Sequence, residues 1–215
     1  MRGMKWLLLL PALVLLPPMP LDAADMQPTT LNAADTATLH AAETYLNSIR
    51  TLKARFTQTG PDGGVTTGTA WLDRPGRMRF QYDQPSPLLL VAGHGVVIFR
   101  DNQLDQTTTI PMDQTPLGLL LRDKITLSGD VTLTGFRHFG AELHITVVRT
   151  ASPGDGSLTL FLNAAPLALL GWSVIDAEGR QTEIRLSDVV LGGAFAPNLF
   201  TFTDPDFGDS NGNTP

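Results

Sequence analysis

The stretch Arg77-Met78-Arg79-Phe80-Gln81-Tyr82 shows the clearest alternation of apolar and polar residues in the chain. Successive side chains of a β-strand point to opposite faces, so this period of two predicts a strand with one apolar face. Met78, Phe80 and Tyr82 would face a core. Arg77 and Arg79 would share the other face, which we interpret as solvated and as protection against pairing with other chains.

Short segments of similar character extend in both directions from this stretch, each bounded by Gly, Asn, Asp or Pro. The predicted strands cover residues 65–72, 77–82, 88–91, 96–100, 103–110, 131–136, 142–150, 157–162, 169–176, 181–191 and 199–203, and residues 56–59 could open the series. Two helices are predicted, one capped by Asp35 and running to about Thr51, the other over Thr115–Arg122.

The number and spacing of these segments predict the fold class. Hairpin-length connections, with no alternation of strand and helix, favour an antiparallel sheet over a Rossmann or TIM architecture. A flat sheet of about eleven strands is unfavourable, so the sheet is expected to curl or close. We therefore predict a mainly β (α+β), barrel-like protein with a single domain over residues 35–207.

Residues 1–24 have the pattern of a targeting segment. A basic start precedes the apolar run 6–16, which is too short to span a bilayer. We predict a signal peptide over residues 1–24 and an exported, soluble mature protein, with an N-terminal membrane anchor as the alternative. Residues 25–34 are expected to form a flexible leader, and residues 208–215 a frayed tail.

Composition excludes several classes of function. The 215 residues carry a formal net charge of −6, which argues against nucleic-acid binding because phosphates require a basic face. The chain has no cysteine, which excludes disulfides, thiolate metal sites, a Cys nucleophile and a lipid-bearing N-terminal cysteine. No G-x-S-x-G, H-E-x-x-H, P-loop or G-x-G-x-x-G motif occurs. We therefore predict no enzymatic activity and no cofactor, with a secreted hydrolase using convergent carboxylates as an alternative.

Two histidine-containing segments are candidates for sites. His138 and His144 straddle a predicted hairpin and could approach one another, but no third ligand stands at a suitable spacing. No metal site is therefore predicted. Gly93-His94-Gly95 lies between two predicted strands, which favours a hairpin turn over a phosphate-binding loop.

Two predicted strand regions are apolar on both faces, Leu88–Val91 and Leu167–Ile175. They could simply be core, or one face could pack against a helix while the other lines a barrel interior. So wide a curved sheet has a lumen that is either plugged or left as a cavity. The chain could thus form a barrel that holds an apolar ligand beneath a helical lid.

Several motifs resemble the periplasmic outer-membrane lipoprotein carriers of Gram-negative bacteria (LolA-like). The most specific is Arg74-Pro75-Gly76-Arg77-Met78-Arg79-Phe80-x-Tyr82-x-x-Pro85. Others follow the family's order: Phe56-Thr57-Gln58, Gly68 to Leu72, Leu89 to Gly93, Thr115-Pro116-Leu117 to Leu121, Asn163-x-x-Pro166-Leu167-x-Leu169-x-Gly171-Trp172, and Phe200-x-Phe202. The chain departs from the family pattern at Ala92-Gly93-His94-Gly95 and Phe99-Arg100, both at turns.

The resemblance implies an unclosed antiparallel half-barrel of about eleven strands, capped by helices that form a lid. Its hollow would take the acyl chains of lipoproteins. Cargo would come from an inner-membrane ABC-type exporter and pass to an outer-membrane receptor or to the outer membrane itself. A monomer is expected of such a shuttle. The alternative is a periplasmic lipid-sensing or partner-binding module that uses the same half-barrel.

The resemblance also implies site residues. Arg74 matches an arginine that bonds to the lid and holds it shut when the hollow is empty. The residues expected to line the acyl-chain hollow are Trp71, Met78, Phe80, Tyr82, Leu90, Phe99, Leu117, Leu120, Leu143, Ile145 and Trp172. A carrier of this kind needs apolar surface rather than catalytic groups, in agreement with the absence of catalytic motifs.

Overall fold

The computed structural model describes residues 27–202. The predicted signal peptide (1–24) and the predicted tail (208–215) lie outside these residues. The strands are β1 (Thr51–Thr59), β2 (Val65–Asp73), β3 (Arg77–Tyr82), β4 (Leu88–Gly93), β5 (Val96–Asp101), β6 (Gln106–Pro111), β7 (Val131–Phe139), β8 (Glu142–Arg149), β9 (Gly156–Ala164), β10 (Leu167–Asp176) and β11 (Gln181–Leu191). The described part also contains one α-helix, α1 (Ala33–Ser48), and the 3-10 helices Met112–Gln114, Pro116–Leu121, Pro153–Asp155 and Pro197–Phe200.

All eleven strands form a single antiparallel sheet in the order β6-β5-β4-β3-β2-β1-β11-β10-β9-β8-β7. The first and last strands of the described chain pair at its centre, where Phe56 of β1 stands opposite Leu186 of β11. The two edges of this sheet over residues 27–202, β6 and β7, do not pair with each other. This architecture confirms the predicted unclosed, mainly β fold.

The alternation in β3 decides which side of the sheet carries the core. Met78, Phe80 and Tyr82 are all buried on one face, which we call the inner face. The Phe80 ring lies 4.6 Å from the ring of Phe56 and 6.0 Å from that of Trp172, centroid to centroid. Side chains from both halves of the sheet therefore meet over its centre.

Helix α1 covers part of the inner face, with Ala42 and Leu46 buried against it. The predicted cap at Asp35 is wrong. Asn32 caps the helix, because its Oδ1 accepts a hydrogen bond from the backbone N–H of Asp35 at 2.9 Å. Asp35 instead lies in the first turn, where a carboxylate interacts favourably with the helix dipole. Thr51, where the helix was expected to end, already belongs to β1.

The second predicted helix is a 3-10 helix, Pro116–Leu121, which we call the short lid helix. Thr115 caps it by accepting from the N–H of Gly118 at 3.2 Å. A Cβ on Gly118 would stand 2.2 Å from the carbonyl oxygen of Met112, so only glycine fits this close approach. The short lid helix therefore follows tightly on the turn that ends β6.

The predicted strand over residues 199–203 is wrong for its described part, because Pro197–Phe200 form a 3-10 helix. Proline at the start of this segment favours a helical first turn over a strand. The segment lies against β3 and β4, where Phe200 is only 3% exposed and the Leu199 carbonyl accepts from Arg79 Nη1 at 3.3 Å. The face carrying Arg79 is therefore partly covered rather than fully solvated.

The predicted turn at Gly93-His94-Gly95 is confirmed, with Gly93 ending β4 and His94 and Gly95 forming the two-residue turn to β5. His94 has a φ of 50° and Gly95 a φ of 81°. Two successive residues with positive φ are typical of the tight turns that match the twist of a β-hairpin.

Candidate functional site

A buried arginine lies where the sheet meets both parts of its cover. Arg74 follows β2 and is only 5% exposed. Its guanidinium donates five hydrogen bonds. The acceptors are the carbonyl oxygens of Arg122 (2.7 Å), Leu46 (2.7 Å), Ile49 (3.0 Å) and Asp123 (3.0 Å) and the side-chain Oδ1 of Asn47 (3.4 Å).

These acceptors explain why the position suits an arginine. The last carbonyls of a helix lack the N–H donor four residues on that other helix carbonyls have, and a cation interacts favourably with them. Arg74 takes this role for α1 through Leu46 and Ile49, while its other nitrogens reach the segment after the short lid helix. A planar fork with five donors can bridge two segments in this way, whereas an ammonium group has three donors at one point.

The electrostatic surroundings of Arg74 disfavour its charge. Burial is the main cause that lowers the pKa of Arg74, and the nearby charge of Arg50 lowers it further, while Asp123 acts in the opposite direction. An arginine stays protonated at neutral pH even so. The hydrogen bonds to neutral oxygens therefore hold a charge that the site itself does not neutralise.

A second set of bonds ties α1 to the segment after the short lid helix. Asn47 Nδ2 donates to the carbonyl of Ile125 at 2.8 Å, and the N–H of Ile125 donates back to Asn47 Oδ1 at 2.8 Å. The N–H of Leu127 donates to Glu43 Oε1 at 2.6 Å. Helix α1 and residues 122–127 are thus joined, and we call them together with the short lid helix the lid.

Sequence patterns did not identify Glu43 and Asn47 as site residues. They stand four residues apart on α1, beside the apolar positions that face the core. This spacing on one side of a helix is the only local signal, and it is equally typical of a solvated helix face.

The predicted lining residues fall into several groups in the structure. Met78, Phe80, Leu120 and Trp172 border one small cavity of ≈ 20 Å³ beneath the lid. Tyr82, Leu143 and Ile145 are buried in the core beside it, and Leu117 packs against that core. Leu90 and Phe99 stand opposite each other on the inner faces of β4 and β5, and both are half-buried.

The ring of Trp71 does not join this group. Although Trp71 borders the small cavity, it alternates along β2 with the buried residues Ala70 and Leu72. Lys53 Nζ lies 5.9 Å from the centroid of its ring. The ring therefore lies on the outer face, because neighbouring residues of a strand point to opposite sides.

The small cavity has room for about one water molecule and not for a hydrocarbon chain. Tyr82 illustrates how closed the interior is, since burial raises the pKa of Tyr82 to about 12 despite a hydrogen bond to Gln58. A hydrocarbon chain could reach the inner face around Phe80 and Trp172 only if the lid moved away from the sheet. The observed state is the closed one.

The two histidines considered as metal ligands lie apart. In the register of β7 and β8, His138 is paired with Leu143 and His144 with Arg137, which puts the histidines on opposite faces. His144 Nε2 is 2.9 Å from Glu142 Oε2, and His138 Nε2 is 3.6 Å from Asp35 Oδ1. Within residues 27–202, no group of three His, Asp or Glu side chains is placed to hold a metal ion.

A family model and several relatives that match this chain belong to one protein family. A family model described as "Outer membrane lipoprotein carrier protein LolA" matches residues 47–203. The outer-membrane lipoprotein carrier protein of Pseudomonas syringae pv. syringae is 32% identical over 82% of this chain and 88% of its own. Those of Methylococcus capsulatus (29% identical; 80% of this chain, 86% of the relative) and Chromohalobacter salexigens (27%; 97% of each) are also similar. Among residues 27–202, no helix is long and apolar enough to cross a membrane.

Proposed function

Because this chain belongs to the outer-membrane lipoprotein carrier family, we propose that it binds the acyl chains of lipoproteins on the inner face of its sheet and carries them through the periplasm. The role is a non-enzymatic one. The observation that carries this proposal is the Arg74 junction, in which one buried guanidinium holds both segments of the lid against an apolar sheet.

Burial of the hydrocarbon chains of the cargo provides the free energy that opens the lid. At ~0.8 kcal/mol per CH₂, a sixteen-carbon chain in water represents on the order of 12 kcal/mol of unfavourable exposure. Moving the lid exposes the inner-face residues around Phe80 and Trp172 to that chain. The hydrocarbon of the cargo then packs against the sheet in place of the apolar side chains of the lid.

The hydrogen bonds of Arg74 favour the closed lid and so favour release of the cargo. Each is worth about 1 kcal/mol, and somewhat more where the donor is charged. The closed state competes with cargo, so the apparent affinity falls by the free energy needed to open the lid. A carrier that binds its cargo more weakly than the acceptor does can transfer it downhill without an energy source.

The route of the cargo completes the proposal. An inner-membrane ABC-type exporter loads the carrier, and an outer-membrane receptor or the outer membrane itself takes the lipoprotein. Residues 1–24 supply the export signal. A single chain supplies both the inner face and the lid, so we expect one carrier monomer to bind one cargo molecule.

A binding experiment with paired cargo tests the proposal. The protein, expressed from its full coding sequence, is mixed with a triacylated lipoprotein and, separately, with the same lipoprotein lacking its acylated cysteine. Gel filtration should show a complex with the acylated form alone. Equal binding of both forms would indicate a partner-binding module that reads the polypeptide, and binding of neither would contradict the carrier role.

A further inference from the structure

A second cavity, of ≈ 420 Å³, lies on the other side of the short lid helix. Its volume falls in the range of about 300–1,000 Å³ that is typical of small-molecule sites. Apolar side chains from the sheet and from the lid line it together: Leu119, Leu121, Val131, Val147 and Leu158. We call it the side cavity. None of the residues predicted to line the acyl-chain hollow borders it.

The short lid helix separates the side cavity from the small cavity beneath the lid. Leu120 borders the small cavity, whereas its neighbours Leu119 and Leu121 border the side cavity. The short lid helix therefore forms the wall between the two cavities. Displacing it would join the side cavity to the inner face around Phe80 and Trp172.

The rim of the side cavity is polar, and its two arginines are paired with carboxylates. Arg149 contacts the carboxylate of Asp155 and the carbonyl of Asp113. Arg122 Nη1 lies 2.5 Å from Asp130 Oδ2. An apolar floor under such a rim suits a hydrocarbon chain with a neutral amide or ester head, because both arginines of the rim already pair with carboxylates and leave an anionic headgroup without a free cation there.

The same wall is attached to the Arg74 junction. The carbonyl of Leu121 accepts from the N–H of Gly76 at 2.8 Å, and the carbonyl of the next residue, Arg122, accepts from Arg74 Nε at 2.7 Å. A chain lodged in the side cavity would contact the helix whose end Arg74 holds. A hydrocarbon chain in the side cavity and the hydrogen bonds of Arg74 would therefore act on the same segment, the short lid helix and the residue that follows it.

We propose that the side cavity takes the first amide- or ester-linked acyl chain of the cargo while the lid is still closed. This inference rests on the proposed carrier function and adds an order of events to it. One chain enters beside the short lid helix, and the remaining chains enter beneath the lid after the Arg74 bonds break. The side cavity is therefore an entry site, distinct from the part of the inner face beneath the lid, around Phe80 and Trp172, that takes the remaining chains.

The test uses N-hexadecyl dansylamide, a fluorescent probe with one hydrocarbon chain and a neutral head. Val147 is 2% exposed, lies on the inner face of β8 and borders the side cavity alone, so Val147→Trp should fill it. We expect the affinity for the probe to fall by about tenfold or more, equivalent to about two CH₂ groups left unburied. Val190→Trp is the matched control, because Val190 is 60% exposed on β11 and borders neither cavity.

Hydrogen exchange shows whether the lid stays closed. The amides of Ile125 and Leu127 are bonded to Asn47 and Glu43 of α1, so their protection reports closure. With the wild-type protein saturated by probe, both amides should keep their protection. Loss of protection would mean that the probe lies beneath the lid, and unchanged affinity in Val147→Trp would also overturn the inference. Should Val147→Trp fail to fold, Val131→Phe fills the same cavity from β7.

A separate measurement distinguishes this inference from the carrier function. If wild-type protein binds no acylated lipoprotein, the carrier proposal fails whatever the probe does. If Val147→Trp loses the probe but loads acylated lipoprotein at the wild-type rate, the carrier role stands and the entry site is wrong. Slower loading by Val147→Trp with unchanged Val190→Trp supports both.

Discussion

Two arginines of the Arg74–Phe80 stretch hold segments of the chain in opposite ways. Arg74 lies beneath the lid and donates five hydrogen bonds to it. Arg79 lies on the outer face beneath the 3-10 helix Pro197–Phe200, which we call the C-terminal segment, and donates one bond, at 3.3 Å, to the carbonyl of Leu199. Within residues 27–202, Arg79 Nε is buried without a hydrogen-bond partner.

The difference shows what each contact contributes. Burial lowers the pKa of both arginines, so each charge has a desolvation cost. At Arg74 five acceptors offset part of that cost and make the closed lid depend on hydrogen-bond geometry. At Arg79 a single acceptor offsets less of it, and the C-terminal segment is held mainly by the buried ring of Phe200. A polar junction of the first kind can be released by a small displacement, whereas buried apolar surface becomes exposed only gradually.

Replacing Arg74 should have the largest effect. In Arg74→Leu the closed lid loses its bonds, so cargo has less to compete with and is retained more tightly. We expect transfer of a bound acylated lipoprotein to acceptor liposomes to slow by about tenfold or more, for a loss of at least ~1.4 kcal/mol in the closed state. Arg74→Lys keeps the charge but not the planar, five-donor guanidinium, so its transfer rate should lie between those of the wild type and Arg74→Leu. Transfer at the wild-type rate in Arg74→Leu would mean that Arg74 is not a latch.

Truncating Phe200 should affect stability rather than transfer. Phe200→Ala removes the ring that anchors the C-terminal segment, and we expect the free energy of unfolding to fall by about 3 kcal/mol. Urea denaturation measures the change. Phe139→Ala is the control, since Phe139 is 55% exposed and its loss should stay within about 0.5 kcal/mol. A defect in cargo transfer by stable Phe200→Ala protein would place the C-terminal segment in the transport cycle and break the contrast with Arg74.

Replacing Arg79 should change little. Arg79→Met keeps most of the side chain's length and removes a half-buried charge. Within residues 27–202, it also removes a buried Nε that has no hydrogen-bond partner. We expect the free energy of unfolding to stay within about 1 kcal/mol of wild type, and to rise if the apolar stem packs beneath Leu199. Urea denaturation again provides the measurement. A loss as large as that in Phe200→Ala would show that the single bond of Arg79, and not the ring, anchors the segment.

An exposed arginine extends the comparison to the surface and gives the smallest effect. Hydrogen bonds from Arg55 and Thr67 lower the pKa of Asp83 to about 2. Since its pKa in the unfolded chain is about 3.9, the carboxylate adds stability above that pH and loses the contribution as the pH falls toward the folded value. The difference in Tm between wild type and Asp83→Asn should therefore shrink as the pH falls from about 4 to about 2. If the difference in Tm between wild type and Asp83→Asn does not change with pH, the folded protein does not favour the ionised form of Asp83.

The strands of the sheet were predictable, and the contacts between distant segments were not. The period of two in β3 identifies its buried face, and β2 to β5 follow the predicted ranges closely. The segment 199–203 has the same apolar and β-branched character, yet Leu199 and Phe200 belong to a 3-10 helix against β3 and β4. A local pattern is the same for a strand and for a segment that packs across one, so only the tertiary contact distinguishes them.

The candidate site shows the same division. Arg74 was predicted from its motif, but its partners lie between 25 and 49 positions away along the chain. Glu43 and Asn47 had no distinctive signal, because a polar pair four residues apart also occurs on solvated helices. The ring of Trp71 illustrates the converse, since the resemblance implied a place in the hollow while its position in the strand puts the ring on the outer face.

The sequence by itself determined the fold class, the apolar inner face and the place of Arg74 in its motif, because side-chain periodicity and motif order are properties of neighbouring residues. Only the tertiary structure decided that the lid is closed, that Arg74 joins both of its segments, and that space remains beside the short lid helix. Those features depend on how well surfaces from distant parts of the chain fill the volume between them, and close packing of that kind is absent from any local pattern.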